Sequence, residues 1–487
     1  MLDMVIVTAY FLMMLYLGWR SRRQSADAYW VAERKYGSSR ITLSLVATVF
    51  GASSTMGIIG LGYSRGLTGA WWSLIGGICL IPFALLLASR VRALNVYTLP
   101  DILRRAYGDA VAIPAGLMIA VAWCGVIAAQ LIAGSHLASG LFSIPFKTAL
   151  PVVAVVFTLY TFWGGQLSVI KTDSWQLFLF IGGLFLSLLF LITAQTPTPT
   201  VWDSVPAGHW HFPVSGSFGW YEAVVFYPLI VGLPYLVGPD MYSRIFCARD
   251  LGVARRSALM AALIVIPLSF LLALMGLLAR ARFPEIAAEA ALPTTLSMLI
   301  PMGLKGIIVA GFLGAIMSSA DTCLISASTI ITLNVIGPIT RRTSTWNLMV
   351  SRIVVLALGA SAWYVAGQQQ GIISSLLLGY KVFVGGVVIP TLAAFFKEKW
   401  NIPRCAAVGA VIIGGGTAIL ANIQGGILLK TLLTPYGEAL LQGLLGKQSL
   451  SLLPIFLSAF TLIGFSLILR AREKVRRRTR LSGMEAR

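Results

Sequence analysis

Charge is scarce in this chain. Of its 487 residues 11% are Asp, Glu, Lys or Arg, against about 25% in soluble domains, and 57% are hydrophobic. Mean hydropathy is +0.85, and long apolar stretches recur from end to end. A soluble domain carrying one anchor is therefore excluded. Cysteine and histidine are few. Cys79, Cys124, Cys247, Cys323 and Cys405 fall in apolar spans or at their cytoplasmic ends, with no metal-site spacing to a histidine, so no external disulfide is expected. A nucleotide-binding loop and a nucleophile–base pair are missing too. ATP-driven pumping and catalysis lack residues to carry them, and neither enzyme activity nor an organic cofactor is expected. Ten-residue segments of alternating polarity, the mark of a membrane barrel, are absent. The first span begins at residue 1 with Asp3 and lacks the basic start and small-residue cleavage site of a signal peptide, so it is expected to stay as a helix.

What is present reads as an all-α integral membrane protein. A spanning helix needs about 20 apolar residues, and about thirteen candidates occur, near 3–19, 42–63, 68–89, 110–138, 149–166, 173–194, 219–237, 257–279, 303–335, 347–366, 372–396, 405–422 and 450–469. The formal charge is +20, and with the N-terminus outside most of the 37 Lys and Arg fall on the cytoplasmic side. This is the positive-inside asymmetry; it places the C-terminus in the cytoplasm and argues against nucleic acid as partner. The basic tail 471–487 is expected to sit on anionic lipid. The longest hydrophilic excursions, 195–218, 280–301 and 423–449, lie outside.

Two spans are poor simple anchors. Residues 42–63 hold Gly51, Ser53, Ser54, Gly57, Gly60 and Gly62; residues 219–237 hold Pro228, Gly232 and Pro234, with Pro239 close behind. Broken helices survive in a membrane only where protein, ion or water satisfies the freed backbone. The two lie five spans apart and enter from opposite sides, as two inverted five-helix repeats would, although glycine and proline are also common in ordinary membrane helices. The expected organisation is a peripheral first helix (1–23), repeat one (39–196, spans two to six), repeat two (217–397, spans seven to eleven), two peripheral helices (404–470) and the basic tail (471–487).

The stretch "GAIMSSADTCLISAST" (314–329) puts Ser318, Ser319, Asp321 and Thr322 inside an apolar span. At about 100° per residue these share one face with Gly311, Gly314 and Ala315. Close helix packing would explain the small residues and serines. It does not explain Asp321, because a carboxylate in hydrocarbon costs a few kcal/mol and is a functional candidate; hard oxygens near a helix break suit a small alkali cation. Lys381, about 14 Å into its span, also needs a partner: Asp321, a substrate carboxylate, or a proton exchanged in turnover.

These residues resemble the signature of the sodium:solute symporter family, whose fold is the LeuT-type inverted repeat. "SADAYWVAERKYG" (25–37), "GIIGLGYSRG" (57–66), "GGQLSVIKTDSWQ" (164–176) and "DMYSRIFCARD" (240–250) are similar to further motifs of that family, in order along nearly the whole chain. The resemblance implies a ten-helix core with three peripheral helices. It implies a sodium site with backbone carbonyls of Ala47, Phe50 and Ala315 and hydroxyls of Ser318 and Ser319. Asp173, Asp321 and Thr322 are candidates for a second cation or a proton, Asp173 being equally readable as an interfacial acid beside Lys171. By analogy, Ser53, Ser54, Trp72, Ser73, Tyr235, Tyr380 and Lys381 would face the substrate, though Ser53 and Ser54 are shorter than their counterparts in sugar carriers. The expected function is sodium-driven uptake of a small organic solute, a carboxylate or amino acid being favoured by Lys381, in a multi-pass plasma (inner) membrane protein working as a monomer. A proton-coupled carrier using Asp321 and Lys381, or a solute sensor with the transporter fold, are the alternatives.

Overall fold

The computed structural model describes residues 1–194, 205–340, 343–369, 371–422, 442–443 and 448–485. The expected excursions 195–218 and 423–449, and the end of the basic tail, lie partly outside the described residues. Eleven described helices are long and apolar enough to cross a membrane. With one shorter helix that shapes the site, they are labelled α1 (Leu2–Arg20), α2 (Ser38–Val49), α3 (Ser53–Ala93), α4 (Asp109–Phe142), α5 (Phe146–Thr193), α6 (Glu222–Phe246), α7 (Leu251–Arg282), α8 (Leu304–Thr340), α9 (Ser344–Gln368), α10 (Ile372–Ala394), α11 (Arg404–Asn422) and α12 (Ser449–Glu485). Among the described residues the only β-pairings are two isolated bridges, Tyr36 with Ala248 and Ser215 with Phe218.

Every expected span falls on one of these helices, but the joints differ. The segments 149–166 and 173–194 run together as the 48-residue α5, bent at Gly165, where φ is +58° and a Cβ would stand 2.4 Å from the Tyr29 ring. Only glycine takes that backbone without strain. The segment 42–63 is cut in two: α2 ends at Val49, Phe50 has non-helical angles (φ −85°, ψ 52°), and helix resumes at Ser53. In α6, Pro228 sits within a wide π-type turn and Pro234 near the start of the short helix that follows. The break comes later, at Gly238, whose extended backbone separates Leu233–Val237 from Pro239–Phe246. Wide turns are a common way for a helix to absorb a proline's missing N–H.

The chain forms two compact units. One comprises residues 1–98 and 123–380; the other comprises 99–122 and 381–487. In the first, α8 packs on α5 and α1, and α7 packs on α3 and α2. In the most apolar 18-residue window of α8, 94% of residues are buried, against 28% for α9 and 33% for α1, so the polar face of α8 looks into protein and not into lipid. Two of the motif loops lock together here: the Tyr36 amide donates to the Cys247 carbonyl at 3.3 Å and the Arg249 amide to the Tyr36 carbonyl at 3.0 Å. In the second unit, α11 packs along α12 and residues 384–388 of α10.

Candidate sodium and solute site

The break after α2 shapes the candidate site. The last carbonyls of a helix have no intrahelical partner and form its negative end. Here they face α8: the Ser319 hydroxyl donates to the Thr48 carbonyl at 2.7 Å and to the Ala47 carbonyl at 3.4 Å. Gly51 permits the approach, since a Cβ there would lie 2.6 Å from Ser319 Oγ and 2.7 Å from Gln130 Oε1. On the far side of the break the Ala52 amide, a freed donor, is taken by Gln130 Oε1 at 2.7 Å. Phe50 is fully buried, its ring 5.6 Å from that of Phe180, and Ala315 lies one turn ahead of Ser318 and Ser319 on α8. Ala47, Phe50 and Ser319 thus come together at one helix break, and Ser318 is the neighbour of Ser319 on α8.

A second polar layer adjoins the first. The Ser318 hydroxyl donates to Asp173 Oδ1 at 2.6 Å, and Ser44 donates to Asp173 Oδ2. The Thr322 hydroxyl donates to the Ser318 carbonyl at 2.7 Å. Asp321 is fully buried; Thr161 donates to its Oδ1 at 2.6 Å, while Oδ2 has no hydrogen-bond partner among the described residues. The reading of Asp173 as an interfacial acid beside Lys171 finds no support in this placement: Asp173 is fully buried and Lys171 is exposed. The small-residue reading of α8 also has its place, one and two turns earlier. Gly311 lies against the Leu179 carbonyl and Gly314 against Tyr10 and Gln176.

Beside these layers is a small cavity, about 20 Å³, with Ser53, Ser54, Tyr235 and Tyr380 in its wall and Ser319 at its border with the helix break. It has room for a water or an ion but not for an organic solute, so solute entry requires the walls to part. Trp72 and Ser73 are buried but do not line it; Trp72 packs edge-on to Tyr227. Lys381 opens the second unit and forms no ion pair among the described residues. Sequence reasoning missed two residues. Asp240 lines the cavity just past the Gly238 break, and Arg244 is buried one turn further along. Both lie within the motif "DMYSRIFCARD", and the signal was an acid and a base one helical turn apart directly after a proline-rich break.

The carbonyls of Ala47 and Thr48 with the Ser319 hydroxyl at the helix break are hard oxygens that fit a small hard cation. Comparison with known proteins agrees. A model of the sodium:solute symporter family matches residues 29–414. The sodium/pantothenate symporter of Escherichia coli (strain K12) is 27% identical over 440 residues, covering 83% of this chain and 86% of that protein. The sodium/myo-inositol cotransporter 2 of Rattus norvegicus is 27% identical over 404 residues, covering 73% of this chain; the match spans 60% of the cotransporter's length. Among solved structures, a Na+-coupled sialic acid symporter in a substrate-bound, outward-open state superposes with a TM-score of 0.72 at 18% identity, covering 94% of this chain and 98% of that one. A nucleobase-cation-symport-1 family transporter superposes with a TM-score of 0.56 at 12% identity. These last two show the fold, which is LeuT-like. Taken with the helix break and the serine that faces it, the match across residues 29–414 makes this chain a multi-pass membrane protein of the sodium:solute symporter family.

Proposed function

We propose that this protein couples inward sodium movement to uptake of a small polar organic solute across the plasma membrane, by alternating access. The observation that carries the reading is the contact of Ser319 with the Ala47 and Thr48 carbonyls at the break. A cation bound there has carbonyls of α2 on one side and serine hydroxyls of α8 on the other. It ties two helices that otherwise share one hydroxyl bridge, and so biases the equilibrium between open and closed arrangements. Neutral oxygens hold the ion weakly enough to release it, which turnover requires. The solute then binds beside the ion, and each ligand raises affinity for the other by the same factor.

The cavity wall supports a hydrogen-bonding solute. Ser53, Ser54, Tyr235 and Tyr380 offer hydroxyls, and Asp240 a carboxylate that suits an ammonium or hydroxyl group. Pantothenate and sialic acid are carboxylates, whereas myo-inositol is a polyol; the ammonium group of an amino acid would use Asp240. Trp72 and Ser73 fit a supporting role behind the wall. A second reading has support in one observation, the unpartnered Oδ2 of Asp321, which a proton could occupy in place of a cation.

Uptake into proteoliposomes of a panel of labelled amino acids, carboxylates and polyols separates the two. Accumulation driven by an inward sodium gradient at equal pH, and abolished by Ser319→Ala, is expected. Accumulation driven only by a pH gradient would overturn sodium coupling.

A further inference from the structure

We propose that the second unit carries a site for an anionic phospholipid: one acyl chain lies in the groove between residues 389–402 and α12, and the phosphate pairs with Arg470.

The groove holds about 510 Å³, within the roughly 300–1,000 Å³ usual for sites that take a small molecule. On α12 its wall runs from Ala459 through Leu462, Ile463, Ser466 and Leu467 to Arg470. Steps of three and four keep these residues on one face of the helix. At 1.5 Å per residue the stripe is about 16 Å long, close to half of the ~30 Å hydrocarbon core, so it matches the depth of one leaflet. Leu392 and Phe396 face it, with Trp400 after them. The one hydroxyl in the groove, on Ser466, donates to the Leu462 carbonyl of its own helix at 2.6 Å. Between Ala459 and Leu467, α12 therefore offers a ligand no free hydrogen-bonding group. Hydrocarbon suits such a wall.

Charge sits at one end only. Arg470 is the one charged residue that lines the groove; it is exposed and has no ion pair among the described residues. A free guanidinium at the end of an apolar stripe fits a molecule that is anionic at one end and hydrocarbon beyond, and its planar fork matches a phosphate. Phe396 and Trp400 are exposed and stacked, their ring centroids 4.9 Å apart, as amphipathic rings at headgroup level are placed. Arg470 also opens the run Arg470–Arg480, in which the sequence has seven Lys or Arg against one Glu. Such a run draws anionic lipid to the surface, and the groove seats one molecule of it.

Native mass spectrometry of the purified full-length protein tests this, in detergent supplemented with dioleoyl phosphatidylglycerol or dioleoyl phosphatidylcholine. One retained phosphatidylglycerol is expected, with about a five-fold preference over phosphatidylcholine, the worth of one arginine near an anionic surface. Arg470→Gln is expected to remove the preference and Arg470→Lys to keep it. Ile463→Trp, at an exposed position along the stripe, fills the groove and is expected to lose the retained lipid. Equal retention of the two lipids by the unmodified protein would overturn the inference, as would a preference that survives both Arg470→Gln and Ile463→Trp. A dimer that Ile463→Trp dissociates would put a second copy of the chain in the groove and overturn it as well. Should Ile463→Trp fail to fold, the preference of the unmodified protein and its loss in Arg470→Gln decide alone.

Discussion

Gln130 satisfies a backbone amide that the helix break sets free, because its Oε1 accepts from Ala52 at 2.7 Å and the residue is 97% buried, with only 3% exposure. Replacing it by leucine strands that amide, and an unsatisfied buried donor costs roughly 1–3 kcal/mol. Gln130→Leu is therefore expected to lower the melting temperature in choline buffer as well as in sodium. Gly51 makes a different prediction. A methyl there would collide with Ser319 Oγ and Gln130 Oε1, the two side chains that define the break, so Gly51→Ala is expected to remove sodium-dependent stabilisation. Equal sodium responses of Gly51→Ala and the unmodified protein in a melting assay would show that the break does not hold the ion.

At the scale of elements, Asp3 shows how a peripheral helix reaches the core. Its Oδ1 accepts from the amides of Gly303 and Gly306 at 2.7 and 2.8 Å, which caps the N-terminus of α8. Loss of an N-terminal cap costs about 0.5–2 kcal/mol, so Asp3→Ala is expected to lower the melting temperature modestly while leaving the sodium-induced shift unchanged; a lost sodium shift would mean α1 acts on the site itself. The helices were legible in the sequence because about twenty apolar residues in a row admit few other structures. The first break was legible as well, from the Gly51–Ser54 cluster. The second was placed too early, because Pro228 and Pro234 mark where a helix is stressed, while the wide turn of Pro228–Gly232 relieves that stress and passes the break on to Gly238. The joint in α5 hid in a continuous apolar run and depends on the φ of one residue, Gly165. Within the site, Ser318, Ser319 and Asp321 stood out as polar residues in hydrocarbon. Asp240 and Arg244 did not, since next to a loop motif a charged pair reads as interfacial. Only the packing of Pro239–Phe246 against α2 and α8 shows Arg244 to be internal.

For the whole molecule, a sodium ion held between α2 and α8 would be a structural ligand before it is a transported one. The small cavity and the hydroxyl bridges of Ser319 describe a closed arrangement, and a cation that joins α2 to α8 must stabilise the folded protein whether or not solute is present. At a sodium concentration 100 times the dissociation constant, mass action raises stability by about 2.7 kcal/mol, a shift readily seen in melting. The most direct test compares the melting temperature of the purified protein in sodium, potassium and choline with that of the Ser318→Ala/Ser319→Ala double variant. The account predicts a rise specific to sodium that disappears in the double variant. A sodium response that survives loss of both hydroxyls, or equal melting in all three salts, would contradict it.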